Sequence, residues 1–124
     1  MLSFIVQMVS AFLDLDRKKL MHLDYKPENV LRADKNGRYY KICDFGCAQI
    51  SAISRMSGYE KSVFGTFNYL APELLLNYKG KKTRNSADIW AFGITLYEMM
   101  FWRLPFTKKS NDKIIDRTLL ESYF

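Results

Sequence analysis

The chain has 124 residues, of which 48% are hydrophobic and 26% are charged, and these values are typical of one globular domain. Aromatic residues make up 15% of the chain and there are two cysteines, which argues against a disordered chain and against the disulfide framework of a small secreted domain. The net charge of +6 is divided evenly between the two halves, so charge does not indicate a basic arm for nucleic acid. We therefore expect an intracellular, cytoplasmic protein that does not bind nucleic acid.

The first thirteen residues carry no charge and predict a buried helix. Apolar residues at three- and four-residue intervals form a stripe that two further residues widen: Leu2, Ile5, Val6, Val9, Phe12 and Leu13, with Phe4 and Met8. The stretch is shorter than the roughly 18 residues of a membrane span. It lacks the positive start of a signal peptide, although Val9, Ser10 and Ala11 leave a small-residue cleavage site open. We expect no membrane span, and a helix covered on nearly all sides.

A turn signal in the next segment predicts a β-hairpin. Asn36 and Gly37 form a dipeptide typical of a two-residue hairpin turn, and apolar residues stand on both sides of it. Counting outward from that turn puts Asn29 opposite Asp44. Directly opposed residues have Cβ atoms about 4.5 to 5.5 Å apart, so two oxygen ligands at these positions can share one hard cation.

The segment after the hairpin predicts a long loop and a short helix. Serines and glycines with weak periodicity across 47–70 indicate the loop. A short helix is expected over Pro72–Leu76, because proline suits the first turn of a helix. Basic residues in 79–84 indicate a connector to the next element.

The last part of the chain predicts two helices. Asn85 or Ser86 can cap a helix that continues to about Phe101. Apolar residues surround this helix, so we expect it to form the centre of the core. A weaker amphipathic pattern predicts another helix over Lys113–Phe124.

Three short motifs carry most of the chemical information. They are His22-Leu23-Asp24-Tyr25-Lys26-Pro27-Glu28-Asn29, Asp44-Phe45-Gly46 and Ala71-Pro72-Glu73. Each is a weak match alone, but their order is the one that the signature of the eukaryotic protein kinase catalytic domain requires. Further matches are Gly65-Thr66, Asp88-Ile89-Trp90 and Leu104-Pro105-Phe106. The chain therefore resembles a protein kinase, and the Lys-Pro-Glu of its first motif resembles the serine/threonine type.

The resemblance implies a role for five residues. Asp24 and Lys26 would be catalytic: Asp24 would orient the substrate hydroxyl and accept its proton, and Lys26 would contact the γ-phosphate of ATP. Asn29 and Asp44 would hold Mg²⁺. Leu31 would pack beneath the adenine, so that Lys26, Asn29, Leu31 and Asp44 together bind the cofactor.

Four other residues are not expected to act as catalysts or metal ligands. The resemblance implies that Asp88 accepts hydrogen bonds from the backbone of the first motif. His22 is interpreted as a packed, hydrogen-bonded core residue and not as a base or ligand. Cys43 and Cys47 do not have the spacing of a zinc site and are expected to be free thiols.

The sequence departs from the family pattern where activating phosphates are bound. Leu23 stands where an arginine is usual, and Gln49 stands near the position of a second cation. Ser62 occupies the expected position of the phosphate. We therefore expect phosphorylation of Ser62 to order the loop only slightly.

The resemblance begins at the helix before the first motif, and no Gly-x-Gly-x-x-Gly segment is present. Residues 1–124 are therefore expected to be a partial kinase domain: an α+β, mainly α, partial large lobe with one hairpin, without the small lobe and without a partner for Glu73. Such a chain would transfer phosphate from MgATP to Ser or Thr of a protein substrate, with a separate small lobe or partner protein as a possible complement. The alternatives are a non-catalytic scaffolding module and a truncated gene model of a full kinase.

Overall fold

A computed structural model describes residues 1–50, 65–75 and 85–106. The helices are α1 (Leu2–Arg17), α2 (Pro72–Leu75) and α3 (Ser86–Phe101), and the strands are β1 (Leu20–Met21), β2 (Val30–Arg32), β3 (Tyr40–Ile42) and β4 (Gln49–Ile50). Single 3₁₀ turns cover Pro27–Asn29, Phe45–Cys47 and Phe67–Tyr69. The described part is mainly helical, as expected, and none of its helices has the length and hydropathy to cross a membrane. The predicted helix over 113–124, the connector 79–84 and most of the loop 47–70 lie outside the described residues.

Aromatic side chains from α1, α3 and the loop after β1 meet in the core. Between ring centroids, Phe12 of α1 lies 4.9 Å from Tyr25 and 5.4 Å from Phe92 of α3, and Tyr25 lies 5.9 Å from Phe92. Edge-on aromatic pairs contribute about 0.5–1.5 kcal/mol beyond the area that they bury. Tyr25 is fully buried and anchors the middle of this loop in the core. The residues on either side of it, Asp24 and Lys26, are partly exposed.

Only one face of α1 is buried, so the prediction of a helix covered on nearly all sides is wrong. Phe4, Met8 and Phe12 are spaced one turn apart and are at most 6% exposed. Several residues of the predicted stripe lie on the exposed side: Leu2, Val6, Val9 and Leu13. Apolar residues occupy both sides of this helix, and periodicity alone does not tell which side packs.

The predicted hairpin forms, but its register is different. Leu31 of β2 lies opposite Lys41 of β3, and the N–H of Ala33 donates to the carbonyl of Tyr39. Residues 34–38 therefore form the loop, where the prediction assigned Asn36 and Gly37 alone.

Asp34 stabilises this longer loop. Its carboxylate accepts hydrogen bonds from the N–H groups of Arg38 at 2.7 Å and Tyr39 at 3.1 Å, which is a common use of aspartate in turns. The register shift makes Cys43 the partner of Asn29, since the Cys43 N–H donates to the Asn29 carbonyl at 2.9 Å. The prediction that Asn29 faces Asp44 is wrong by this one residue.

A second two-stranded sheet is present that the sequence analysis did not predict. β1 pairs antiparallel with β4, with Leu20 opposite Ile50 and Met21 opposite Gln49. Strands of two residues carry no periodic signal, so only the folded chain reveals them. This pairing joins the segment after Asp44-Phe45-Gly46 to the start of the first motif.

The helix α3 has the predicted bounds and packs at the centre of the described core through Ala91, Phe92 and Ile94. It is not covered on all sides, because its last residues are exposed: Met99, Met100 and Phe101. Asn85 stands at the N-cap position but makes no side-chain cap bond. Its amide instead donates to Asp16 at 2.6 Å and joins the start of α3 to the last turn of α1.

Trp102 ends α3 in a backbone conformation that suits glycine. Its φ is 55° and its ψ is 28°, in the left-handed region. Its N–H donates to the carbonyl of Glu98 at 2.8 Å, which closes the helix end in the usual way. The indole is 92% exposed.

We expect Trp102→Gly to raise the free energy of unfolding by about 0.5–1 kcal/mol. A left-handed conformation costs a residue other than glycine about 1–2 kcal/mol, and the exposed ring contributes little burial that would offset the gain. Chemical denaturation of the whole chain, followed by circular dichroism, measures the change. Trp102→Ala is the matched control: it removes the ring but keeps the strain, so its stability should remain near wild type. A glycine variant less stable than wild type would contradict this account.

Candidate active site

The carboxylate of Asp88 holds the loop that carries the candidate residues. Asp88 lies in the first turn of α3 and is 2% exposed. One of its oxygens accepts a hydrogen bond from the N–H of His22 at 2.7 Å, and the other accepts one from the N–H of Leu23 at 2.8 Å. Burial raises the pKa of Asp88, and these hydrogen bonds oppose that rise. The contact that the resemblance implied for Asp88 is present.

Leu23 adopts a left-handed conformation and joins two parts of the site. Its φ is 66°, and its side chain is buried in a cluster with Met21, Ala71 and Ala87. A Cβ at Gly65 would lie 2.3 Å from the Leu23 carbonyl oxygen, so only glycine fits there without a shift of the backbone. The backbone at Gly65 therefore lies in close contact with the backbone of the first motif at Leu23.

His22 is a structural residue, as predicted. Its ring is fully buried, and its Nε2 lies 3.0 Å from the carbonyl oxygen of Cys43. Its Nδ1 accepts the N–H of Asp24 at 3.3 Å, so Nε2 is the nitrogen that donates to Cys43. The ring of Phe45 packs against it at 4.8 Å. His22 thus joins the first motif to the Asp44-Phe45-Gly46 turn.

Asp24, Lys26 and Thr66 form the polar centre of the site. The ammonium of Lys26 lies 3.0 Å from one oxygen of the Asp24 carboxylate and donates to the hydroxyl of Thr66 at 2.6 Å. The other Asp24 oxygen accepts the N–H and the hydroxyl of Thr66, both at 2.7 Å. A cation, a carboxylate and a hydroxyl therefore meet at one point of a partly exposed loop.

Asn29 orients Asp24 from the other side. Its side-chain nitrogen donates to the Asp24 carbonyl at 2.8 Å and to the Asp24 carboxylate at 3.2 Å. The 3₁₀ turn over Pro27–Asn29 brings it back toward Asp24. Because the amide nitrogen is used in this way, the amide oxygen is the atom available to a cation.

The contacts of Asp24 keep its carboxyl group ionised. Burial raises its pKa, but the hydrogen bonds from Thr66 and Lys26 and the charge of Lys26 outweigh that effect and lower the pKa below its usual range. Asp24 is therefore an anion at neutral pH, able to accept a hydrogen bond or a proton.

Asp44 also presents oxygen atoms. It has a φ of 60° and caps the following 3₁₀ turn, with one carboxylate oxygen accepting the N–H of Gly46 at 3.2 Å. The residue is exposed. Asn29 and Asp44 each offer an oxygen atom of the hard type that Mg²⁺ prefers, so the chemistry of both side chains suits such an ion. Within the described residues no group of three or more His, Cys, Asp or Glu side chains is placed to hold a metal.

The structure brings together Asp24, Lys26 and Asn29 of the predicted site residues. Leu31 lies on β2 and is 53% exposed, which leaves its side chain available to a ligand. Cys43 and Cys47 are free thiols, as expected. The sequence analysis did not assign Thr66 to the site. The signal that could have indicated this role is the match of Gly65-Thr66 to the family signature. Glu73 makes no ion pair with any residue in the described ranges.

Comparison with known proteins identifies the family. The family model described as protein kinase domain matches residues 1–123, and the chain therefore belongs to the protein kinase domain family. Members of this family generally use ATP and Mg²⁺.

The curated relatives are named as protein kinases, and several of them as serine/threonine kinases. The chain is 39% identical to cGMP-dependent protein kinase of Toxoplasma gondii over 90% of its own length and 10% of that protein. It is 37% identical to the proto-oncogene serine/threonine-protein kinase mos of Rattus norvegicus, over 86% of the chain and 30% of that protein. It is 40% identical to serine/threonine-protein kinase D2 of Homo sapiens, over 89% and 12%. The chain thus spans between a tenth and a third of the length of these relatives.

We expect Asp24→Asn to lower stability in a pH-dependent way. Because the folded pKa of Asp24 is lowered, its carboxylate stabilises the fold above the usual aspartate pKa of about 4, and this contribution is lost as the pH falls through the lowered value. The difference in free energy of unfolding from wild type should be about 1–2 kcal/mol at pH 7 and should shrink as the pH falls toward 2. Denaturation curves across this pH range measure this difference.

Asp14→Asn, at an exposed carboxylate paired with Arg17, is the control and should change stability little at any pH. A difference at Asp24 that is independent of pH would contradict the prediction.

Proposed function

We propose that residues 1–124 are part of the large lobe of a serine/threonine protein kinase catalytic domain, and that they transfer the γ-phosphoryl group of ATP to a Ser or Thr hydroxyl of a protein substrate. The observation that carries the proposal is the position of the Lys26 ammonium between Asp24 and Thr66. Phosphoryl transfer depends on positioning and charge neutralisation. A carboxylate, a cation and a hydroxyl that meet on a partly exposed loop suit that chemistry.

Asp24 and Lys26 divide the work of the transfer. The substrate oxygen forms a bond to the γ-phosphorus while the bond from that phosphorus to the β–γ bridging oxygen breaks, and the hydroxyl proton passes to the Asp24 carboxylate. Asp24 is ready for this step because its lowered pKa keeps it ionised. An ammonium has three N–H donors; two point to Asp24 and Thr66, and the third is available to a phosphate oxygen.

The remaining predicted residues would bind the cofactor. Asn29, through its amide oxygen, and Asp44, through its carboxylate, would hold Mg²⁺, which neutralises phosphate charge when bound. Leu31, exposed on β2, would contact the adenine. A separate small lobe or partner protein would complete the nucleotide site. The two free thiols favour a reducing, cytoplasmic location.

Transfer of radiolabelled γ-phosphate from ATP to a protein substrate tests the assignment. We expect wild-type chain, alone or supplemented with a separate kinase small lobe, to transfer label, and the Asp24→Ala, Asp44→Ala double variant to lose at least about a hundredfold in rate. Asp14→Asn removes a carboxylate of the same type outside the site and should keep the wild-type rate. Label transfer that persists in the double variant would disprove the roles of these residues.

A non-catalytic binding module remains the second candidate, because both Lys26 and one Asp44 oxygen already have protein partners. The two functions differ in their response to MgATP. A thermal shift of the whole chain that requires both ATP and Mg²⁺, and that Asp44→Ala removes, supports the kinase. No shift and no transfer would favour the binding module.

The environment of Leu23 leads to an expectation for Ser62, which lies outside the described residues. Leu23 and Gln49 have uncharged side chains, and Leu23 is buried among apolar residues, so neither position supplies a cation to a phosphate. We expect Ser62→Glu to leave the hydrogen exchange of residues 65–70 within about twofold of the Ser62→Ala control. Markedly greater protection in the glutamate variant would contradict this expectation, because it would show that another cation pairs with the negative charge at position 62.

A further inference from the structure

The side-chain amide of Gln7 joins α1 to the β2–β3 hairpin. Gln7 is one of three polar residues among the first thirteen, with Ser3 and Ser10. Its amide nitrogen donates to the carbonyl of Arg38 at 2.8 Å, and its amide oxygen accepts the N–H of Tyr40 at 3.0 Å. The same nitrogen donates to the hydroxyl of Ser3 at 3.0 Å, one turn earlier in the helix. Both donors and the acceptor of the amide are thus engaged, which fixes its orientation.

The two backbone groups that Gln7 binds lie on the edge of β3 that faces away from β2. Backbone groups of successive residues in a strand point to opposite edges. The carbonyl of Tyr39 faces β2, because it accepts the N–H of Ala33. The carbonyl of Arg38 and the N–H of Tyr40 therefore point the other way, toward α1. One amide side chain occupies the place that a further strand would take at this edge.

These hydrogen bonds fix the position of the hairpin along α1 in a way that its apolar contacts do not. The ring of Phe4 packs edge-on against that of Tyr40 at 5.1 Å, and Val30 and Ile42 pack against the core. Apolar contacts of this kind are not directional. A strand advances about 3.3 Å per residue and its backbone groups alternate between edges. A shift of one residue would therefore bring the wrong backbone groups to Gln7.

The hairpin and its two ends carry three of the four residues to which the proposed function assigns cofactor binding. Asn29 immediately precedes β2, Leu31 lies within it, and Asp44 follows the end of β3 by two residues. The fourth, Lys26, lies on the loop that the carboxylate of Asp88 holds against α3. The distance between a bound nucleotide and the transfer residues thus depends on how the hairpin is placed against the helices.

We infer that Gln7 is a positioning residue for the nucleotide: by holding β3 against α1, it sets the place of Leu31 and Asp44 relative to the rest of the site. Gln7 acts through the backbone of β3 and does not need to contact the nucleotide. The inference rests on the proposed function, because it assigns Gln7 a part in the binding of MgATP.

Titration with a fluorescent N-methylanthraniloyl ATP analogue and Mg²⁺ tests the inference on the whole 124-residue chain, with a separate kinase small lobe present as in the transfer assay. We expect Gln7→Met to raise the dissociation constant at least about fivefold, because methionine has a similar length but lacks the amide donors and acceptor. Gln7→Glu keeps an acceptor for the Tyr40 N–H and loses the donor to the Arg38 carbonyl, so its dissociation constant should lie between the two. Ser10→Ala, at an exposed polar residue of the same helix, is the control and should bind like wild type.

Two further measurements separate positioning from general stability. Denaturation curves give the folded fraction of each variant, and a loss of folded molecules alone would lower the amplitude of the titration without changing the dissociation constant. Hydrogen exchange of residues 38–42 requires no nucleotide. It should be at least about threefold faster in Gln7→Met than in Ser10→Ala, because the hairpin has lost its bonds to α1.

The outcomes distinguish this inference from the proposed function. Equal dissociation constants for wild type and Gln7→Met would overturn the inference and leave the proposed function standing, as would equal hydrogen exchange of the hairpin in Gln7→Met and Ser10→Ala. Failure of wild type to bind the nucleotide would overturn both. Should Gln7→Met not fold, Gln7→Glu decides in the same way, and wild-type affinity in that variant would overturn the inference.

Discussion

The structure of the site depends on the buried carboxylate of Asp88. A buried charge is costly unless it is hydrogen-bonded, and here both oxygens are satisfied by N–H groups of consecutive residues, His22 and Leu23. Two adjacent N–H groups can point at one carboxylate only if the backbone turns, and Leu23 makes that turn with a φ of 66°. A helix that forms from local sequence thus sets the conformation of a loop 66 residues earlier in the chain.

Two further buried side chains, Tyr25 and His22, position the loop and the turn that carry the candidate site residues. Tyr25 inserts between α1 and α3, which fixes the loop in the core and leaves its neighbours Asp24 and Lys26 partly exposed. The His22 ring joins the same loop to the carbonyl of Cys43, immediately before Asp44. The two motifs that carry the predicted ligands are therefore positioned by buried groups that have no part in the proposed reaction.

Backbone strain is distributed unevenly between the site and the surface. Leu23 and Asp44 are both left-handed, and each has a compensating contact: the Leu23 N–H binds Asp88, and the Asp44 carboxylate accepts the N–H of Gly46. Asp also tolerates this conformation better than most residues do. Trp102 has the helix-closing bond to Glu98, which a glycine would make equally well. The strain at Leu23 and Asp44 is thus offset by hydrogen bonds that shape the site. The strain at Trp102 is not offset by any contact that a glycine in its place would lack among the described residues.

The sequence alone determined the elements whose signals are local. The bounds of α3 follow from its long run of apolar residues, and the family follows from the order of three short motifs. The same motifs indicated Asp24, Lys26, Asn29 and Asp44 as the candidate site residues, because the resemblance implies phosphoryl transfer and this reaction requires these types of side chain. The presence of a hairpin was also predictable, since Asn36 and Gly37 signal a turn.

Only the tertiary structure decided the features that depend on residues distant in the chain. The hairpin register changed because the Asp34 carboxylate captures two N–H groups and lengthens the loop. The exposed side of α1 was not predictable, because apolar residues occupy both of its faces and packing against β3, Tyr25 and Phe92 selects one of them. Thr66 joined Asp24 and Lys26 through hydrogen bonds across about forty residues, and no local pattern encodes such a distance. The sequence therefore determined which chemical groups this protein has, and the fold decided which of them meet, because hydrogen bonds and packing act between neighbours in space.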